Sequence, residues 1–148
     1  MVRQSAADTG GELLAFDLFL APGGRVPSSH VHPEQEESFT VLEGQMRFRI
    51  GLRSRLAGVG ETVRVPPGAV HAFANLGRGR AHLLVEVRPA LNTEEMLGAG
   101  AGLDRPLRQP LRLALFLDEF GREVRVPFLP AILVRAMTRP LVWLARRP

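Results

Sequence analysis

The sequence predicts a mainly β protein: a small sandwich or barrel over the first ninety residues, followed by α-helices. Three observations carry this. Short apolar stretches recur up to Pro89, broken by Gly- and Pro-containing turns every eight to twelve residues. No stretch before residue 90 is long and periodic enough for a helix. Beyond Pro89 the apolar residues change to helical spacing. A length of 148 residues suits one ordinary domain better than two. The expected division is a β-domain over 1–90 and a helical extension over 91–148 that packs on it or on a partner subunit.

Taken in order, Glu12–Leu20 is a strongly apolar segment that stops at Pro22-Gly23-Gly24. Arg25–His32 is extended and ends at Pro33. Glu37–Glu43 is a strand closed by Gly44, and Met46–Ile50 alternates as a half-buried strand should. Met46, Phe48 and Ile50 are its inward set, with Arg47 and Arg49 in water. Glu61–Val65 ends at the turn Pro66-Pro67-Gly68, and Val70–Phe73 follows. Ala81–Val87 is a β-branched strand ending at Pro89.

Asn92 or Thr93 then caps a short helix, and Gly98–Gly102 reads as a flexible joint. No strand leads into those glycines, so they make no dinucleotide fingerprint. Leu107–Phe120 has the spacing of a buried helix closed by Gly121. Phe128–Arg146 repeats that spacing, with Arg135, Arg139 and Arg146 mostly off the apolar face and Pro140 expected to kink or break it.

The hydrophobic fraction of 45% and charged fraction of 23% are those of a globular protein rather than a disordered one. The chain has no cysteine, which excludes disulfides and thiolate metal sites. The first ten residues hold no apolar run and no export signal, so a cytoplasmic protein is expected. Every basic residue is Arg, and the net charge of +4 is unevenly spread. Residues 1–90 carry ten arginines against nine acids, while 121–148 carry six against Glu123 alone. An electrostatic partner therefore concerns the tail. No helix-turn-helix pattern is visible, and no nucleic-acid partner is expected.

The chemistry gathers in His30-Val31-His32-Pro33-Glu34-Gln35-Glu36-Glu37 and in His71, which together hold three of the four histidines. Residues two apart on a strand point the same way, so His30 and His32 can present both imidazoles to one ion. If Phe39 and Val41 face the core, Glu37 shares their face and Glu36 points to solvent. Three imidazoles and a carboxylate suit one divalent transition metal: Fe, Mn, Ni, Zn, Co or Cu.

The spacing is specific. Gly24, five residues, His30, one, His32, four, Glu37, six, Gly44 resembles the first motif of the cupin superfamily. Gly60, five residues, Pro66, one, Gly68, two, His71, three, Asn75 resembles the second, with fifteen residues between the motifs. The resemblance covers about residues 12–90. It implies a jelly-roll β-barrel, a double-stranded β-helix, with the metal held by His30, His32, Glu37 and His71. It leaves the reaction open, since the family includes dioxygenases, decarboxylases, isomerases, storage proteins and sensors. Gly44 and Gly68 are read as turn residues with unusual backbone angles, and Asn75 as a structural residue that satisfies backbone groups.

Phe39, Phe48 and Phe73 are expected to line the pocket around the metal. His82 and Glu86 join them as substrate-binding groups if their face of the last strand is internal. If Leu83, Val85 and Val87 face inward instead, His82 and Glu86 face water. No catalytic base can be named, because the sequence has no Lys and no Tyr. The expected function is a metal-dependent enzyme acting on a small oxygen-rich substrate, dioxygenase-like or isomerase-like. The rival is a non-catalytic cupin that binds or senses a small ligand. A homodimer is the default assembly, and membrane contact through the amphipathic tail the less favoured use of residues 128–146. Seven residues before Arg135 are too few for a transmembrane span.

Overall fold

The computed structural model describes residues 1–25, 29–101, 109–128 and 130–146. Eight strands and three helices follow in order: β1 (Val2–Gln4), β2 (Leu14–Leu20), β3 (Glu36–Glu43), β4 (Met46–Ile50), β5 (Arg53–Ala57), β6 (Thr62–Val65), β7 (His71–Asn75), β8 (Ala81–Arg88), α1 (Thr93–Gly100), α2 (Pro110–Glu119) and α3 (Ala131–Ala145). The strands form a five-stranded sheet, β1-β2-β8-β3-β6, and a three-stranded sheet, β5-β4-β7, all antiparallel. Two sheets wound this way are the jelly roll that the motif spacing implied.

Alternation decides what lies between the sheets. Phe39 and Val41 of β3, Met46 and Phe48 of β4, Val63 and Val65 of β6, and Leu83, Val85 and Val87 of β8 are all buried there. On β4 the arginines between them are exposed, as the sequence pattern predicts. The rings of Phe39, Phe48 and Phe73 meet at centroid distances of 5.0–5.9 Å and make the aromatic part of this core.

Two turns set the strand ends. Gly44 has φ +83°, and an added Cβ there would stand 3.0 Å from the Arg80 carbonyl oxygen, so the β3–β4 turn needs a glycine for two reasons. Gly68 has φ +77°, and its N–H donates to the His32 carbonyl at 2.9 Å. That bond ties the Pro66-Pro67-Gly68 turn to the histidine-bearing segment.

The structure departs from the sequence expectations in four places. β1 and β5 are exposed edge strands whose polar residues gave no apolar alternation to read. Gly98 and Gly100 lie inside α1 rather than in a flexible joint, while Gly102 is outside the described residues. α2 begins at Pro110 and its cap is Phe120 rather than Gly121, with Leu107 outside the described residues. Within α2 only Ala114 is buried; the rest is half-buried or exposed. α3 runs through Pro140 without breaking and packs along α2. The stretch Val26–Ser28 of the expected extended segment also lies outside the described residues.

Candidate metal centre

Arg25 and His30 bridge to β7, and His30 and His71 exchange both backbone hydrogen bonds at 3.0 Å. That register sets the two rings side by side, with centroids 4.3 Å apart. His32, two residues on, presents its ring to the same place, 5.4 Å from that of His71. Glu37 enters β3 from below: it shares the inward face with Phe39 and Val41, while Glu36 is half-buried on the other. The ligand atoms of His30, His32, Glu37 and His71 all lie within 4.8 Å of one another.

The protonation pattern follows from the neighbours. His32 Nδ1–H donates to the Glu123 carbonyl, and His71 Nδ1–H donates to the Ala69 carbonyl at 3.1 Å. A carbonyl can only accept, so in the neutral rings each Nε2 carries a lone pair. These two nitrogens stand 3.4 and 2.8 Å from Glu37 Oε2. Among the described residues, none of the three atoms has a hydrogen-bond donor, and all three are buried. Buried acceptors facing one another are costly unless a cation lies among them. A borderline divalent transition metal fits this set of imidazoles and a carboxylate. Burial pushes the Glu37 carboxyl up; when the imidazoles are protonated, donation from His71 and the positive charges of His32, His71 and His30 outweigh that. Positive charge at the centre of the cluster thus draws its pKa below the ordinary value.

Around this cluster Phe39 stands 6.5 Å, ring to ring, from His71, with Phe48 behind it and half-buried Phe73 beside it. His82 and Glu86 are elsewhere. Strand β8 turns Leu83, Val85 and Val87 inward, which puts His82 and Glu86 on the outer face of the five-stranded sheet. There His82 Nε2–H donates to Asp17 at 2.5 Å and stacks on Phe19, and Glu86 pairs with Arg88. The pocket expected of these two residues is therefore corrected to an outer polar cluster. Parity on a central strand leaves no third option.

Three buried polar residues around the site were given no part in it by the sequence reading. Gln35 is fully buried, and its amide donates to the carbonyls of Pro89 and Ala90 and to Thr93 Oγ1, tying the ligand segment to the start of α1. Thr93 is itself buried at that junction. Glu123 is 1% exposed, and its carboxylate accepts the Asn92 N–H at 3.2 Å. The available signal was that Glu123 is the single acid in an arginine-rich tail. Asn75 behaves as expected of a structural residue: its amide donates to Leu20, Ala21 and Gly79 carbonyls and accepts the Gly77 N–H at 2.8 Å.

Comparison with known proteins follows the same boundaries. A family profile described as a cupin domain matches residues 17–87. Over 84 residues the chain is 31% identical to germin-like protein subfamily T member 3 of Arabidopsis thaliana, a match covering 53% of this chain and 37% of that protein. It is 34% identical over 73 residues to oxalate oxidase 1 of Hordeum vulgare, covering 44% and 36%. The chain thus spans only a little over a third of the length of these curated relatives. Among solved structures, a predicted oxalate decarboxylase from Thermotoga maritima superposes with a TM-score of 0.55 at 21% identity, over 57% of this chain and 74% of that one. At that identity the likeness is one of fold.

Proposed function

The chain belongs to the cupin superfamily, and on that premise we propose that it is a metal-dependent enzyme acting on a small oxygen-rich substrate. One observation carries the reading: three buried lone-pair atoms, on His32, His71 and Glu37, face one another without a donor, with His30 beside them. A bound divalent transition metal would satisfy them and supply Lewis acidity toward a substrate that offers two oxygens. Four protein ligands on a six-coordinate ion leave room for such a substrate.

The chain's own residues do the rest. His30, half-buried where its three companions are buried, marks the side from which a ligand enters. Phe39, Phe48 and Phe73 form an apolar wall beside the cluster that keeps water from that side, so the polar groups of a ligand would have to be held at the metal. The relatives named as oxalate oxidases support a small dicarboxylate as the first substrate to try, in an oxygen-dependent reaction. An isomerase-like proton transfer fits less well, because the chain has neither Lys nor Tyr as a base. The same lack favours one second reading, a cupin that binds or senses a small acid without turning it over. The homodimer belongs to this proposal too, supported by exposed apolar residues along α3.

The test is metal content by elemental analysis together with oxygen uptake on a panel of small dicarboxylates, diketones and phenolics. Wild-type protein should hold about one metal per chain and consume oxygen with at least one substrate, and His71→Ala should lose both. Undiminished metal in His71→Ala would sink the site. Inertness of the Fe(II) and Mn(II) forms across the panel, with a small acid retained in native mass spectra, would replace the enzyme by the binding protein.

A further inference from the structure

We propose that residues 121–125 are a strap that positions the metal centre, with Glu123 its anchoring residue; the inference rests on the metal reading above. Four contacts converge on this short segment. Its Glu123 carbonyl accepts His32 Nδ1–H. Arg125 and Val31 exchange both backbone hydrogen bonds, at 2.8 and 3.1 Å, so the strap is laid as one further bridge beside the ligand segment. Arg122 grips Glu34 through two nitrogens, at 2.7 and 3.2 Å. The Glu123 side chain, buried, accepts the Asn92 N–H and fixes the strap to the start of α1.

The placement is selective. Val31 lies between His30 and His32, and Glu34 two residues beyond, so the strap touches the ligand segment on both sides of His32. His71 receives its orienting carbonyl from Ala69, inside its own turn. His32 receives its own from 91 residues away, out of the helical extension. The strap itself is a tight turn: the Glu123 and Val124 N–H groups both return to the Phe120 carbonyl, at the end of α2. Carbonyl partners of this kind fix the tautomer and direction of a ligating imidazole, and their loss typically costs about 10- to 100-fold in metal affinity. The extension is thus part of the site rather than an appendage to it. Glu123 acts through His32 and is a positioning residue.

The experiment uses the full chain. In the metal-free wild type, two-bond proton–nitrogen correlation should find neutral His32 as the Nδ1–H tautomer; an Nε2–H tautomer would overturn the strap. Glu123→Ala should bind Co(II) about 10- to 100-fold more weakly, with a shifted visible ligand-field spectrum. Glu123→Gln keeps an acceptor for the Asn92 N–H and should restore both. Arg146→Ala, which breaks an exposed pair with Asp118 elsewhere in the extension, should change neither. A folded Glu123→Ala with wild-type affinity and spectrum would also overturn the strap. Should Glu123→Ala not fold, the tautomer of wild-type His32 decides. Equal Co(II) uptake by wild type and His71→Ala would overturn the metal reading instead, an outcome the tautomer measurement does not share.

Discussion

A buried carboxylate on the outer face of the five-stranded sheet shows what single residues contribute here. The Asp17 side chain is 2% exposed and receives Arg3 through two bonds, at 2.7 and 2.9 Å, as well as His82. Arg3 first and His82 second hold its carboxyl well below the usual carboxylate range. A depressed carboxylate contributes stability that is present above the unfolded-state pKa, about 4, and lost as pH falls toward the folded value. Stability of the wild type should therefore fall on acidification below about pH 4. Asp17→Asn should be less stable at pH 7 and show a flatter acid limb in urea titrations between about pH 4 and pH 2. A parallel pair of curves would mean that the cluster contributes nothing in acid. The same cluster shows a limit of reading residues singly. His82 was legible as a polar group on a β-strand, but its partner is 65 residues away, and nothing near it in sequence announces Asp17. The ligands were more transparent, since His30, His32 and Glu37 lie within one short stretch and parity selected Glu37 over Glu36.

Among the elements, those with one face buried were legible and those at the edges were not. β3, β4 and β8 alternate because one side of each meets the core. β5 is exposed along four of its five residues and, among the described residues, pairs only with β4, so nothing forces an apolar pattern on it. The helices were found by period but not by end: α2 starts at Pro110, whose fixed φ suits the first helical position, and closes at Phe120, whose N–H returns to the Phe116 carbonyl. Turns were legible through their glycines, which permits a paired test. Gly44 and Gly51 both have positive φ, but a Cβ on Gly44 meets the Arg80 carbonyl and Ala81 Cα within 3.1 Å, whereas one on Gly51 meets nothing within 4 Å. Gly51→Ala should cost about 1–2 kcal/mol for the left-handed backbone. Gly44→Ala should cost distinctly more, about 3 kcal/mol, because a shift of the β3–β4 turn is added. Equal midpoint shifts in urea would show that the β3–β4 turn yields freely.

At the scale of the whole molecule, the extension divides into two parts with different surroundings. Its first part and the 121–125 turn are tied to the barrel through Gln35, Glu34, Val31 and His32. α3 packs on α2 and leaves Ile132, Leu133, Met137, Trp143 and Leu144 at least half exposed. No described helix is long and apolar enough to cross a membrane. Burying these side chains against a second copy is the simplest outcome, at about 25 cal/mol per Å² removed from water. Sedimentation equilibrium at micromolar concentration should give a dimer, and Leu133→Glu with Met137→Glu should give a monomer. A monomeric wild type that pellets with anionic vesicles, and loses that with the same substitutions, would assign the face to a lipid surface instead.

One feature of the sheet order bears on how this chain is made. β8 lies between β2 and β3, with seven registered pairs to each. β1 can pair with β2, and β4 with β5, as they leave the ribosome, but β2 and β3 each keep one edge unpaired until a strand that ends at Arg88 arrives. Contacts of such sequence separation form slowly, and until they do the nascent chain exposes its stickiest backbone. The strand that completes the barrel also comes shortly before the segment carrying Glu123, so assembly is ordered along the chain: ligands first, sheet next, strap last.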